Sequence, residues 1–318
     1  MTRGLKAVDR PVLVAFGFIV VLIILGSIYN RHPPSVLYLL QQLQVASFLG
    51  IVASGLMLTI LLGQIDLSIP WVVTIGGIAA TAAAGWWGES WTALGLPFAL
   101  VCGGLVGLAN GLGVAFLRIP SMIFTLGINA VAQGLMVLHT GGFAPQDKAT
   151  PFMHWLSVER SLLGIPNALF VWLIVGSAVA AILGRTPLGR YIYAIGNREA
   201  VAYLSGVDTR GVLIVCFAIS GACSALAGVL LAGYSDKAYQ AMGDAYLLPA
   251  IAAVVLGGTN ILGGRGTYLG TIAGVILIGL LQSILSVMQM PEAGRQIIYG
   301  SVIIGMLLVY GRGSRVHG

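Results

Sequence analysis

Residues 36–62 read VLYLLQQLQVASFLGIVASGLMLTILL, and from Val36 to Leu62 there is no Asp, Glu, Lys or Arg. An α-helix of about 20 such residues crosses the ~30 Å hydrocarbon layer of a bilayer, and this stretch exceeds that length. It does not stand alone. Further apolar stretches can be drawn at 12–29, 67–87, 96–116, 119–138, 166–184, 212–234, 246–262, 267–289 and 297–310, which predicts an all-α polytopic membrane protein of about ten transmembrane helices. Composition agrees: 58% of the 318 residues are hydrophobic and only 8% charged, whereas water-soluble domains carry about 25% charged residues. The first stretch follows MTRGLKAVDR and lacks a small-residue cleavage site, so it is expected to be an anchor.

Loop charge sets an expected orientation. With the N-terminus cytoplasmic, five of the 16 Lys and Arg fall outside, namely Arg31, Lys148, Arg160, Lys237 and Arg295, and the other eleven fall inside. That asymmetry predicts two cytoplasmic termini. It also accounts for most of the net charge of +6, so the charge does not imply a nucleic-acid partner. Cys102, Cys216 and Cys223 lie inside predicted spans without metal-ligand spacing, and His32, His139, His154 and His317 are scattered, so no metal site is expected.

One connector stands apart. Arg185 to Gly211, RTPLGRYIYAIGNREAVAYLSGVDTRG, is the long charged stretch of the chain and falls on the predicted cytoplasmic side. Its centre, Asn197 to Leu204, has the composition of a short amphipathic helix: Asn197 as N-cap, Glu199 in the first turn, an apolar face of Ala200, Val201 and Leu204, and a stop at Gly206.

Two segments read as breaks in helices. Gly63-Gln64-Ile65-Asp66-Leu67-Ser68-Ile69-Pro70 brackets an aspartate between Gly and Pro, and residues 257–266, GGTNILGGRG, are rich in glycine. Each follows an apolar run and precedes a helix of small residues, so they can mark corresponding points of two structural halves. Unwound backbone at membrane depth needs protein or a polar cavity to satisfy it. Asp66, Ser68, Thr259 and Asn260 therefore either face a pathway or serve as turn and cap residues at the membrane edge. Gln44, Asn129, Gln133 and Gln282 lie in or beside spans and either contact an uncharged polyhydroxyl solute or bridge helices. Glycine makes up 45 residues. Gly103, Gly107 and Gly111, and Gly266, Gly270 and Gly274, recur at spacing four, as expected of close packing within the bundle or at a subunit interface.

The pattern Glu199-Ala200 followed by Gly206 resembles the cytoplasmic coupling loop of ABC importer permeases. GQIDLS (63–68), AIAAVVLGGTNILGGRGTYLGT (250–271) and TPLGRYIYAIGNREA (186–200) are similar to the ribose/xylose/arabinose-type sugar permeases, within the branched-chain amino acid and sugar permease superfamily. The resemblance runs from about residue 41 to 310. It departs from the usual GGIDLSVG pattern at Gln64 and Pro70. It implies a permease for a monosaccharide or similar small sugar in the cell inner membrane. It further implies three partners: a separate ATP-binding subunit, a periplasmic sugar-binding protein and a second permease chain, identical or paralogous. Asn197, Arg198, Glu199, Ala200, Leu204, Gly206 and Asp208 would form the ATPase-coupling segment.

Other function classes lose support. GGTNILGGRGT has no Gly-Lys-Ser/Thr ending, so it is no Walker A loop, and no cofactor is expected. No nucleophile elbow, HExxH or paired-carboxylate spacing points to a membrane enzyme. A charge at mid-span is costly and usually functional; here Asp66 and Asp244 are the nearest to such positions, which weakens the alternative of an ion-coupled or facilitative carrier. The chain is expected to form one transmembrane domain over 1–318, with the coupling loop at 185–211.

Overall fold

The computed structural model describes residues 16–20, 35–87, 93–143, 145 and 147–313. Among the described residues, besides the helical stretch 16–20 and a 3-10 turn at Asp244–Tyr246, twelve α-helices follow one another: α1 Val36–Leu61, α2 Ile69–Trp87, α3 Gly95–Leu117, α4 Ser121–Thr140, α5 Pro151–Ser157, α6 Asn167–Arg185, α7 Pro187–Asn197, α8 Glu199–Leu204, α9 Thr209–Tyr234, α10 Leu247–Leu256, α11 Tyr268–Val287 and α12 Glu292–Gly313. Among the described residues the β-pairing is confined to two isolated bridges, Lys148 with Lys237 and Leu162 with Ile165. Helices α1, α3, α4, α6, α9 and α11 are long and apolar enough to cross a membrane. Most of the stretch predicted at 12–29, and both termini, lie outside the described residues.

Helices α1 and α9 form the centre. The most apolar window of α1 is 89% buried and that of α9 is 67% buried, and the two pack on each other. Helices α2 and α3 lie along α9, α6 and α11 along α1, and α10 sits between α1, α11 and α12. Helix α4 is peripheral: it touches α2 and α3, and only 17% of its window is buried.

The glycine faces pack within the bundle. A Cβ added at Gly103 would stand 2.5 Å from the Gly221 carbonyl oxygen, and one at Gly111 would stand 2.6 Å from the Cα of Ile214, while Gly107 lies against Phe217. Three successive turns of α3 thus rest directly on the backbone of α9, a contact with room for no side chain. Gly270 and Gly274 seat α11 on Ala253 of α10 and on Gly257 just beyond its end in the same way, whereas Gly266 belongs to the preceding loop.

Several polar side chains inside the bundle tie one helix to another. The Gln44 amide donates to the carbonyl of Ser157 at 2.9 Å and the Ser157 hydroxyl to that of Leu230 at 2.6 Å, which anchors the short helix α5 on α1 and α9. Ser54 and Tyr268 share a hydrogen bond of 2.8 Å between α1 and α11.

One predicted span needs correction. The apolar run 246–262 is not a full crossing helix: α10 has 10 residues and ends at Leu256, about 15 Å of helix, because Gly257 and Gly258 stop it and the chain becomes a loop. A second correction concerns the connector, which contains two helices, α7 and α8, where the amphipathic pattern gave one.

Candidate functional site: a connector seated on two helix breaks

The connector is built by three capping devices. The Thr186 hydroxyl oxygen accepts from Gly189 N at 3.3 Å, and Pro187 occupies the first turn of α7, where no N–H partner is needed. Helix α7 buries Gly189, Ile192 and Ile195. The chain then kinks at Arg198, in extended conformation at φ −157°, and restarts as α8.

Asn197 is not the N-cap of α8. It is the last residue of α7, and its side-chain amide donates back to the carbonyl of Tyr193 at 3.0 Å, while Arg198 holds the N-cap position with no side-chain cap bond. The carbonyl one turn back took the side chain that the α8 amides would otherwise have had. Glu199 does lie in the first turn of α8. Helix α8 closes on Gly206, at φ +83°, with Gly206 N donating to Tyr203 and Val207 N to Ala202; this left-handed stop is natural to glycine. Asp208 then caps α9, its Oδ1 accepting from Gly211 N at 3.0 Å.

Of the apolar residues on α8, only Ala202 is buried. Val201 is 54%, Tyr203 68% and Leu204 84% exposed, and Ala200 is exposed as well. The loop therefore presents an uncovered apolar surface, next to a cavity of about 560 Å³ lined in part by Gln64, Arg118, Glu199, Tyr203 and Arg210. Arg210 lies over the ring of Phe116, 5.2 Å from its centroid.

The first break follows α1. Gly63, at φ +75°, turns the chain, and Gln64 is absent from the residues of positive φ, which is why glutamine is accepted where the family pattern has glycine. Pro70 is the second residue of α2, where a missing N–H costs nothing. The extended backbone between is held by a polar stripe on α4. Ser121 Oγ accepts from Ile65 N at 3.2 Å, Thr125 Oγ1 from Leu67 N at 2.9 Å, and Asn129 Oδ1 from Trp71 N at 3.3 Å. Gln133 continues this stripe one turn further on and is exposed. Ser121 and Thr125 were not singled out from sequence, although the i, i+4, i+8 spacing with Asn129 marks one helix face.

Asp66 lies inside this break with 1% of its surface exposed, and Ser68 is fully buried. Asp66 Oδ1 accepts from both N and Oγ of Ser68, at 3.0 and 2.6 Å, and its Oδ2 accepts from Ser220 Oγ on α9 at 3.0 Å. Asn110 of α3 donates to Ser68 Oγ at 2.7 Å. One carboxylate thus turns the chain into α2 and ties that turn to α3 and α9.

The second break, after α10, is a compact loop stapled by Asn260. Its N–H donates to Arg265, its carbonyl accepts from Gly263, and its Oδ1 accepts from Leu262 N at 3.1 Å. Thr259 is fully buried, and its hydroxyl has no hydrogen-bond partner among the described residues.

The two breaks and the end of α7 meet. Gly264 N donates to the Leu61 carbonyl at 2.9 Å, and Tyr193 Oη donates to the Gly266 carbonyl at 2.9 Å. A Cβ at Gly263 would lie 2.8 Å from Gly63 N and 3.0 Å from the Gly196 carbonyl oxygen. Backbone rests on backbone across three segments, so displacement of α7 bears directly on both breaks. Among the described residues no group of three or more His, Cys, Asp or Glu is placed to hold a metal ion.

No solved structure matches the chain. Known sequences do. The chain is 33% identical over 299 residues to the ribose import permease protein RbsC of Haemophilus influenzae, covering 92% of this chain and 91% of that one. It is 33% identical to RbsC of Escherichia coli K12, over 84% and 83% of the two chains. It is also 34% identical to the autoinducer 2 import system permease protein LsrC of Yersinia enterocolitica, over 84% and 75%. Residues 38–309 match the family model described as the permease component of the branched-chain amino acid transport system, and the chain belongs to that family of membrane permeases.

Proposed function

We propose that this chain is the membrane-spanning subunit of an ATP-driven importer for a monosaccharide or similar small sugar. A separate ATP-binding subunit docks on α8, and a secreted binding protein delivers the solute at the opposite end of the bundle. The chain forms one transmembrane domain of about ten spans in the cell inner membrane, with both termini and the 185–211 loop cytoplasmic. A second permease chain completes the pathway, with Gln133 on the largely uncovered α4 turned toward it.

The observation that carries this reading is the apolar face of α8. Val201, Tyr203 and Leu204 are exposed at the tip of a loop whose base rests on both helix breaks. A partner that covers this face and moves it acts on the Gly63 and Gly263 segments through the short turn at Arg198 and the end of α7. Alternation between inward-open and outward-open states then follows as a rigid-body transition biased by the state of the ATPase. The ribose import permeases among its relatives support a sugar as solute.

The test is purification of the chain with a candidate ATP-binding subunit and a candidate sugar-binding protein, followed by reconstitution into proteoliposomes. ATP-dependent uptake of D-ribose or another pentose, with sugar-stimulated hydrolysis, is the expected result. Uptake independent of ATP and driven by an ion gradient would overturn the reading in favour of a secondary carrier.

A further inference from the structure

At the end of the bundle away from the docking loop lies a cavity of about 480 Å³. Tyr38, in the first turn of α1, lines it, while Leu61 at the other end of α1 touches the docking-loop junction. The separation along that helix is roughly 35 Å at 1.5 Å per residue. The cavity is framed by α1, α11, the start of α12 and the turn before α10.

Its lining has a definite chemistry. Tyr38 and Ser283 share a hydrogen bond of 3.0 Å at its wall. Gln282 lies beside them, and Tyr299 closes the cavity from α12. Tyr299 is 2% exposed, and among the described residues the one polar side chain against its hydroxyl is that of Gln282, with which it interacts as a hydrogen-bonding neighbour. A tyrosine hydroxyl both donates and accepts, and a side-chain amide carries two donors and an acceptor, so the Tyr299–Gln282 pair keeps further hydrogen-bonding capacity on the cavity wall for a bound molecule. The two charges present cancel. Arg295 stands 3.9 Å from Glu292 and also donates to the Met290 carbonyl at 3.1 Å. What remains for a ligand is hydroxyl and amide groups that donate and accept at once, together with tyrosine rings. That set matches an uncharged polyhydroxyl compound, and the volume falls within the ~300–1,000 Å³ of small-molecule sites.

We infer that this cavity is a receiving subsite for a neutral, monosaccharide-sized polyol at the solute-entry end of the permease, with Tyr299 and Gln282 as the residues that bind it. The inference rests on the importer reading above for the direction of entry, and on the cavity's own chemistry for the class of ligand.

The test uses the full chain in lipid nanodiscs, without ATPase or binding protein. Binding of D-ribose, D-xylose and D-glucose is measured by saturation-transfer NMR and calorimetry, with L-leucine as the contrast. At least one sugar is expected to bind, and Tyr299→Phe, which removes one oxygen and keeps the ring, is expected to raise its dissociation constant by about fivefold, the share of one neutral hydrogen bond. Gln282→Leu should act in the same direction. If Gln282→Leu fails to fold, Tyr299→Phe decides the matter alone. Binding of no sugar, unchanged binding in Tyr299→Phe, or binding of leucine in place of sugar each overturns the subsite. Uptake by the reconstituted complex keeps the two readings apart: a wild-type complex that imports sugar while nanodisc binding is absent removes the subsite and leaves the importer standing.

Discussion

The backbone N–H of Gly264 donates to the carbonyl of Leu61 at 2.9 Å, so the loop after α10 is hydrogen-bonded to the last turn of α1. Gly196 of α7 lies at the same point. A Cβ there would meet the Leu61 carbonyl and stand 2.5 Å from Gly264 N. Both neighbours are backbone and cannot swing aside. Gly196→Ala should therefore destabilise the protein by about 1–3 kcal/mol, as overpacking does, and lower sugar uptake more than ATPase binding. Gly300→Ala is the control, since a Cβ at Gly300 meets nothing within 4 Å. Thermal unfolding in detergent reads the first effect and co-purification of the ATPase the second; equal behaviour of the two variants would show that the junction is not tight.

Asp66→Asn tests the buried network. From sequence alone Asp66 is as readily a helix cap, for which asparagine is nearly as good. In the structure both carboxylate oxygens are acceptors, Oδ1 from Ser68 twice and Oδ2 from Ser220 once. An amide can keep its oxygen on Ser68 only by turning its NH2 toward Ser220 Oγ, whose hydroxyl must then accept and is left with its own proton to place. The expected cost is about 1–3 kcal/mol, that of a buried group left unsatisfied, with reduced uptake. Ser220→Ala, which removes a single donor, should cost about 1 kcal/mol. An Asp66→Asn protein as stable and active as wild type would return Asp66 to the role of a simple cap.

What the sequence made legible, and what it hid, follows from the range of the forces involved. Spans such as Val36–Leu61 depend on local apolar content, and a sequence states that directly. The 185–211 connector was legible as a distinct segment too, because charge sets it apart from its neighbours. The span at 246–262 was drawn too long because no charged residue interrupts the run up to Leu262, while Gly257, in contact with Gly270 of α11, and Gly258, at φ +90°, end the helix through backbone conformation. Asn197 was misplaced because two backbone partners competed for its side chain, and the Tyr193 carbonyl won. The stripe Ser121, Thr125, Asn129 was visible as a helix face, but its partners, the backbone N–H groups of the break and of the first turn of α2, are about sixty positions away and no local pattern announces them. The cavity closed by Tyr299 joins residues from both ends of the chain and was out of reach for the same reason.

Orientation can be checked at Ser205, which is exposed at the end of α8. The excess of basic residues on the docking-loop side predicts that this position is cytoplasmic. A single cysteine at this position, in a background without Cys102, Cys216 and Cys223, should resist an impermeant maleimide applied to whole cells and react in inverted vesicles. Labelling in whole cells alone would reverse the topology.

The docking assignment is tested most sharply at Gly206. Nothing lies within 4 Å of a Cβ built there, so added bulk meets no obstacle, yet the residue holds φ +83°. The effect of substitution is therefore set by backbone conformation. Valine in a left-handed conformation is strained by about 1–2 kcal/mol or more, whereas asparagine tolerates it. Gly206→Val should loosen the turn between α8 and α9, shift the exposed Val201, Tyr203 and Leu204 from their positions, and reduce ATPase association and sugar-stimulated hydrolysis. Gly206→Asn should keep most of both. Glu199→Lys should act with Gly206→Val, since it places a cation in the first turn of α8, at the positive end of the helix dipole, and changes the charge of the surface offered to the partner. All three variants should insert normally, because neither position lies in a spanning helix. A Gly206→Val protein that binds and couples its ATPase as well as Gly206→Asn would mean that the geometry of this turn does not govern docking.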